Sequence, residues 1–141
     1  MFYVLSLKMA TIKKFEDIEA WQKARVLCLQ INQIILQTPL STDYKLKDQI
    51  NGSSGSVMDN IAEGFGRGGN AEFIQLLEIA HGSVCECQSQ LYRILDRNYI
   101  GQTLFGELYK LADEIKNKIL AFIIYLKPCG IRGPKYKDRS V

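Results

Sequence analysis

Residues 73–95 read FIQLLEIAHGSVCECQSQLYRIL and carry the most regular pattern in the chain. Apolar or small residues recur there in alternating steps of four and three, which form a seam along one face of an α-helix. The seam consists of Phe73, Leu77, Ala80, Val84, Cys87, Leu91 and Ile94. Because such a seam is buried only against other helices, the pattern predicts a helical bundle with this helix as its central member.

Two further segments carry a compatible stripe. The first begins at Glu16 or Asp17 and stops at Pro39, because the residue before a proline is pushed out of the helical region. The last begins near Leu104 and ends at Pro128. The apolar positions are Trp21, Ala24, Cys28, Ile31 and Ile35 in the first, and Leu104, Leu108, Ala112, Ile115, Ile119, Phe122 and Leu126 in the last. No segment shows the period-two alternation of a strand.

The remaining segment, residues 44–65, allows two interpretations. Its residues 51–56 read NGSSGS, which has the composition of a flexible linker, and each glycine inside a helix costs roughly 1 kcal/mol relative to alanine. The apolar stripe nevertheless resumes in phase after this stretch, at Val57, Ile61 and Phe65, which favours one continuous, bent helix. On that interpretation the small residues let another helix approach closely. The chain is thus predicted to be all-α, an antiparallel up-down-up-down four-helix bundle over residues 15–126.

Length and charge define the regions outside the bundle. The 141 residues, 47% of them hydrophobic, suit one domain. Residues 1–126 hold 13 Lys/Arg against 14 Asp/Glu, whereas residues 127–141 hold five against one, so the bundle is near neutral and the tail is basic. We predict that the tail is disordered and that residues 1–14 form a partly disordered arm.

The sequence has no apolar run long enough for a membrane span and no recognisable signal peptide. A cytoplasmic protein with reduced cysteines is therefore expected.

Two short motifs match the residue spacing of known binding sites, but the predicted structure or ligands around them do not match. GFGRGG at residues 64–69 fits the glycine spacing of a dinucleotide site, yet a helix precedes it where such a site needs a strand. Glu78 and His81 fit one half of a di-iron ligand set, which needs a second such pair, and the chain has a single histidine. The sequence therefore predicts no catalytic, metal or cofactor site, and no enzyme activity.

A glycine-rich corner separates the second and third helices. Asn60, Glu63, Gly64 and Glu72 flank it, and we predict that the polar three brace it through hydrogen bonds to backbone amides that a glycine turn leaves unpaired. The alternative is a solvated face with ordinary pairs four residues apart, such as Glu63 with Arg67.

Three ordered motifs resemble one protein family. They are FEDIEAWQKA at residues 15–24, NIAEGFGR at residues 60–67, and EF at 72–73 followed by IAHGS at 79–83, Glu86 and QL at 90–91. Together they resemble the bacterial four-helix-bundle proteins encoded in intervening sequences of 23S ribosomal RNA genes, over about residues 12–126. This chain departs from the family in the segment before the second motif, where Asp59 replaces the usual serine. That departure affects the packing of the second helix and leaves the corner intact.

The resemblance implies a left-handed bundle, no known enzyme activity and a ring-shaped homopentamer. Accessory proteins of diversity-generating retroelements are similar, which implies RNA, the ribosome or a reverse transcriptase as partners. The expected function is a homo-oligomeric scaffold that binds RNA or a nucleic-acid-processing protein; the alternative is a protein-interaction adaptor without nucleic-acid contact. Candidate nucleic-acid contacts are the basic residues Arg67, Arg93, Arg97, Arg132, Lys135, Lys137 and Arg139.

Overall fold

Four long helices make up most of the computed structural model, which describes residues 11–127. They are α1 (Glu19–Gln37), α2 (Tyr44–Gly66), α3 (Asn70–Asp96) and α4 (Gln102–Leu126). Short 3-10 turns, Phe15–Asp17 and Pro39–Thr42, precede α1 and α2. Within residues 11–127 there is no strand, so the all-α prediction is confirmed.

The helices pack as a closed ring of neighbours. Helix α1 contacts α2 and α4, and α3 contacts the same two helices from the other side. Because each connection between consecutive helices is only a few residues long, consecutive helices run antiparallel. The predicted up-down-up-down bundle is therefore confirmed. We call the end at residues 67–69 the corner end and the end at residues 38–43 and 97–101 the far end.

The core is built largely from the predicted stripes, although Trp21, Cys28 and Phe65 are only partly buried. All seven seam residues of α3 are buried, none more than 1% exposed. In α4 the first predicted core position is wrong, because Leu104 is 37% exposed and the next residue, Phe105, is buried in its place. Phe105 packs against Tyr92 of α3, with ring centroids 4.8 Å apart, so an aromatic contact between helices decides which residue turns inward.

Helix α2 is continuous through the glycine- and serine-rich stretch. The Ser54 hydroxyl donates to the Ile50 carbonyl one turn earlier, at 2.7 Å, so the serine satisfies its own polar group inside the helix. The expected close approach at mid-bundle is wrong for the glycines, since a Cβ at Gly52 or Gly55 would meet no atom within 4 Å. Ser53 and Ser56 of this stretch make hydrogen bonds to side chains of α3.

Helix α1 begins later than predicted. Ile18 is extended, so Glu16 and Asp17 belong to the separate 3-10 turn and the helix starts at Glu19. The ring of Phe15 packs edge-on against Trp21, with centroids 5.1 Å apart, and fixes the entry of the chain. The predicted arm lies largely outside the described residues, and the predicted basic tail does so from residue 128 onward.

Candidate functional site

The corner between α2 and α3 is held by an ion-pair triad. Arg67 Nη2 lies 2.5 Å from Glu63 Oε2 in the preceding turn, and Arg67 Nη1 lies 3.3 Å from Glu72 Oε2 at the start of α3. The hydrogen bond to Glu63, followed by the negative charges of Glu63 and Glu72, raises the pKa of Arg67. Glu63 and Glu72 therefore contact Arg67, so this cation is neutralised where the sequence suggested a phosphate contact.

Asn60 does not act at the corner in the predicted way. Its amide nitrogen donates to the Ser56 carbonyl at 2.8 Å and to the Ser56 hydroxyl at 2.9 Å, one turn back in α2. The Ser56 hydroxyl in turn lies 2.9 Å from the Ser83 hydroxyl of α3. Asn60 thus orients a contact between helices rather than a turn amide.

Gly64 and Asn70 make the corner tight. A Cβ on Gly64 would lie 2.7 Å from Cδ1 of Phe73, which only a glycine avoids. The Asn70 amide nitrogen donates to the Leu126 carbonyl at 3.2 Å and ties the start of α3 to the end of α4. Asn70 Oδ1 is buried and has no hydrogen-bond partner within the described chain. The end of α4 therefore lies at the corner end, beside the start of α3.

A polar groove of about 310 Å³ runs between α2 and α3. Side chains bridge the two helices beneath it: Ser53 Oγ donates to Gln90 Oε1 at 2.6 Å, and Arg93 Nη1 donates to Gln49 Oε1 at 2.7 Å. The lining consists of Gln49, Gly52, Ser53, Ser56, Ser83, Glu86 and Gln90. Sequence reasoning missed this groove. The sequence feature that could have predicted it is the polar stretch within α2. In a continuous helix, the positions of Ser53 and Ser56 in that stretch face α3.

The far end is closed by a second ion-pair cluster. Arg97 forms a salt bridge with Asp43, whose Oδ2 also accepts from the Tyr99 hydroxyl at 2.9 Å. The hydrogen bond from Arg97 holds the pKa of the Asp43 carboxyl below its usual range. Asp43 precedes α2 and Arg97 follows α3, so the pair locks two connections together.

The three predicted nucleic-acid residues within residues 11–127 do not lie in one patch. Arg67 is at the corner end, while Arg93 and Arg97 are near the far end, and the 27-residue α3 between them is about 40 Å long. All three arginines already have acceptors within the bundle. The other candidates, Arg132, Lys135, Lys137 and Arg139, lie outside the described residues.

The segment that forms α2 and α3, residues 44–96, is acidic overall, with seven Asp/Glu against four Lys/Arg, and the excess lies in its middle part. Residues 48–90 hold six Asp/Glu against one Lys/Arg, the single cation being Arg67. Asp59 and Glu86 are exposed and make no hydrogen bond or ion pair with another residue from 11 to 127. Counting charge over the whole bundle concealed this asymmetry, because basic residues elsewhere balance it.

An apolar stripe lies on the outside of α1. Val26, Leu29 and Leu36 are 44%, 57% and 73% exposed. Leu29 is two residues from each of the buried Leu27 and Ile31, which is about 200° around the helix, so the stripe points away from the core. We call these three residues the outer stripe; sequence reasoning, which followed only the core-facing positions, missed it.

The described residues contain neither a group of side chains suited to a metal ion nor a helix suited to crossing a bilayer. From residue 11 to residue 127, no three His, Cys, Asp or Glu side chains are grouped so that they could hold a metal ion. Over the same range, none of the helices is both long and apolar enough to cross a bilayer. Cys85 is exposed and Cys87 is buried, since residues two apart on a helix point to nearly opposite faces, and both are free thiols together with Cys28.

Comparisons with known proteins agree with this architecture. A family model described as the 23S rRNA-intervening sequence protein matches residues 16–121. No curated protein matches the chain. A crystal structure of a protein with unknown function from the S23 ribosomal protein family of Bacteroides thetaiotaomicron is similar, with a TM-score of 0.68 and 22% identity over 74% of this chain and 95% of that one. At this identity the likeness concerns the fold.

Proposed function

The chain belongs to the family of 23S rRNA-intervening sequence proteins, and from this premise we propose that it is a non-catalytic, homo-oligomeric scaffold that binds RNA or a nucleic-acid-processing partner in the cytoplasm. The four helices supply the rigid body. Two surfaces of opposite character, the outer stripe of α1 and the basic tail, supply self-association and RNA contact respectively.

The outer stripe carries the proposal. Single exposed apolar side chains are ordinary, but Val26, Leu29 and Leu36 lie together on one side of α1 and face away from the core. A second copy of the chain that covers this stripe removes it from water. Repeating that contact closes a ring, and the resemblance to ring-forming proteins favours five copies.

RNA contact is assigned to the tail. Arg67, Arg93 and Arg97 already have acceptors within the bundle, and residues 48–90 repel phosphate by their net negative charge. The contact is therefore assigned to the run of cations with little compensating acid, Lys127, Arg132, Lys135, Lys137 and Arg139. One tail binds weakly, because so few charges give low affinity at physiological salt. Several tails linked by a ring raise the effective concentration and strengthen binding by roughly a hundredfold or more.

Deletion of residues 128–141 tests this division of roles. We expect the truncated protein to keep its oligomeric mass and to lose RNA affinity, measured by fluorescence anisotropy from low to physiological salt. Full RNA affinity in the truncated protein would refute the role of the tail.

A second candidate function is a protein-interaction adaptor, such as a reverse-transcriptase accessory protein, with no direct nucleic-acid contact. The acidic segment from residue 48 to residue 90 favours it, because a surface of that charge suits a basic protein partner rather than a polyanion. If the full-length oligomer binds no RNA even at low salt, the adaptor is the better description.

A further inference from the structure

We propose that the basic tail, residues 128–141, docks along the groove between α2 and α3 of its own chain, with Asp59 and Glu86 as its principal contacts. This contact holds the tail against the acidic side of the bundle. It goes beyond the proposed scaffold function and does not require RNA.

The groove is shaped and charged for a basic, extended segment. Gly52 and Ser56 line the groove on the α2 side, and Asp59, three residues after Ser56, is exposed beyond its lining toward the corner end. A Cβ at Gly52 would meet only open space, so nothing from residues 11–127 fills the groove at that point. Glu86 on α3 lines the opposite wall. The groove thus presents hydroxyl, amide and carboxylate oxygens, the acceptors that Lys and Arg require.

The charges of the two segments are complementary. Residues 48–90 hold six Asp/Glu against one Lys/Arg, and Arg67, the one cation, is already paired with Glu63 and Glu72. Residues 128–141 hold four Lys/Arg against one Asp. Asp59 and Glu86 are left without a cation inside the described chain, so the tail can supply theirs.

The tail starts where it can reach the groove. The Leu126 carbonyl accepts from Asn70, so the chain leaves α4 beside the first residue of α3. Glu86 is 16 positions along α3 from Asn70, which is about 24 Å. An extended chain covers about 3.3 Å per residue, so Lys135 and Lys137, eight and ten residues beyond Lys127, reach about 26 to 33 Å.

The start of this path offers a hydrogen bond to the tail. Asn70 Oδ1 is a buried acceptor with no donor among residues 11–127. Docking of the tail from this point lets one of its backbone N–H groups donate to that acceptor.

Docking of this kind makes the tail a competitor of any polyanion. While Lys135 and Lys137 contact Asp59 and Glu86, they are withheld from RNA. Neutralising the two carboxylates therefore frees the tail.

Carbodiimide coupling of the full-length protein, which joins a lysine to a carboxylate in direct contact, tests the proposal by peptide mass spectrometry. We expect Lys135 or Lys137 to be joined to Asp59 or Glu86 at low salt, and the coupling to disappear at about 1 M salt, where charges are screened beyond about 3 Å. Mixing unlabelled and isotope-labelled protein identifies the chain that supplies each peptide. Coupling mainly to Asp96 and Glu107, which are exposed carboxylates near the far end, or only between chains of different label, would overturn docking within one chain.

Limited digestion with trypsin gives a second measurement. The double variant Asp59→Asn, Glu86→Gln should be cut at Arg132 and Lys135 about threefold faster or more than the unchanged protein. The reason is that each exposed charge pair shifts the equilibrium between docked and undocked tail by a modest factor. The matched control, Asp96→Asn with Glu107→Gln, removes the same charge elsewhere and should digest at the original rate. Equal rates for the two double variants would overturn the proposal. Neither measurement involves RNA, so a failure of docking is distinguishable from a failure of RNA binding.

Discussion

Replacing Gly64 by alanine should destabilise the bundle although alanine is the better helix former. The added Cβ would lie 2.7 Å from Phe73 Cδ1 and 3.2 Å from Leu76 Cβ. Phe73 cannot move freely, because it is buried and packs against the rings of Phe65 and Phe122, with centroids 6.1 Å and 5.1 Å away. Overpacking of this kind costs about 1 to 3 kcal/mol, while the gain in helix propensity is about 1 kcal/mol. The net loss is therefore about 0 to 2 kcal/mol.

Gly82→Ala is the matched control. Gly82 is also inside a long helix, but a Cβ there would meet no atom within 4 Å, so only the gain of about 1 kcal/mol remains. Urea unfolding followed by circular dichroism, at one fixed protein concentration, measures both variants. We expect Gly64→Ala to be less stable than Gly82→Ala by about 1 to 3 kcal/mol, the overpacking cost. If the two substitutions stabilised the protein equally, the close approach of α2 and α3 at the corner would be refuted.

Three further substitutions or treatments test other parts of the bundle. Leu77→Ala should lower the free energy of unfolding by about 2 to 5 kcal/mol in urea denaturation, because Leu77 is fully buried; a change of a few tenths would place it in solvent. Arg97 lowers the pKa of Asp43, so this pair stabilises the fold above the unfolded-state pKa of the carboxyl, and the stabilisation is lost as pH falls through the folded-state pKa. Asp43→Asn should therefore lower the melting temperature at pH 7 and not at pH 2. An equal loss at both pH values would contradict the pairing. Burial raises the pKa of Cys87 to about 12, so at pH 8 a thiol reagent should modify Cys85 in the folded protein and Cys87 only after unfolding, as peptide mass spectrometry would show.

The fold was readable from the sequence because the helical period of the apolar residues was nearly unbroken. The seam of α3 is buried at every predicted position, and the phase of Val57 and Ile61 correctly indicated a continuous α2. The exchange of Leu104 for Phe105 was not readable, because it depends on an aromatic contact with Tyr92 from another helix. Periodicity predicts which face of a helix is buried, and packing against other helices decides which residues at the border of that face are buried.

The candidate site was predicted less completely, because charged side chains pair according to tertiary structure. The ion pair of Glu63 with Arg67 followed from a spacing of four residues. The pairing of Arg97 with Asp43 joins distant parts of the sequence and turns a candidate nucleic-acid contact into a bond that closes the far end. Likewise, Gly64 was placed at the corner, but its reason for being glycine is the ring of Phe73.

Sedimentation of the full-length protein at micromolar concentration, beside the variant Leu29→Lys, tests the central claim most directly. We expect the unchanged protein to sediment as an oligomer, at five times the 16.0 kDa chain mass if the ring is a pentamer, and Leu29→Lys to sediment as a monomer with unchanged helical circular dichroism. Gln75→Lys, which adds the same charge at an exposed position of α3, should remain an oligomer. A monomeric unchanged protein, or a Leu29→Lys variant that assembles fully, would contradict a scaffold built through α1.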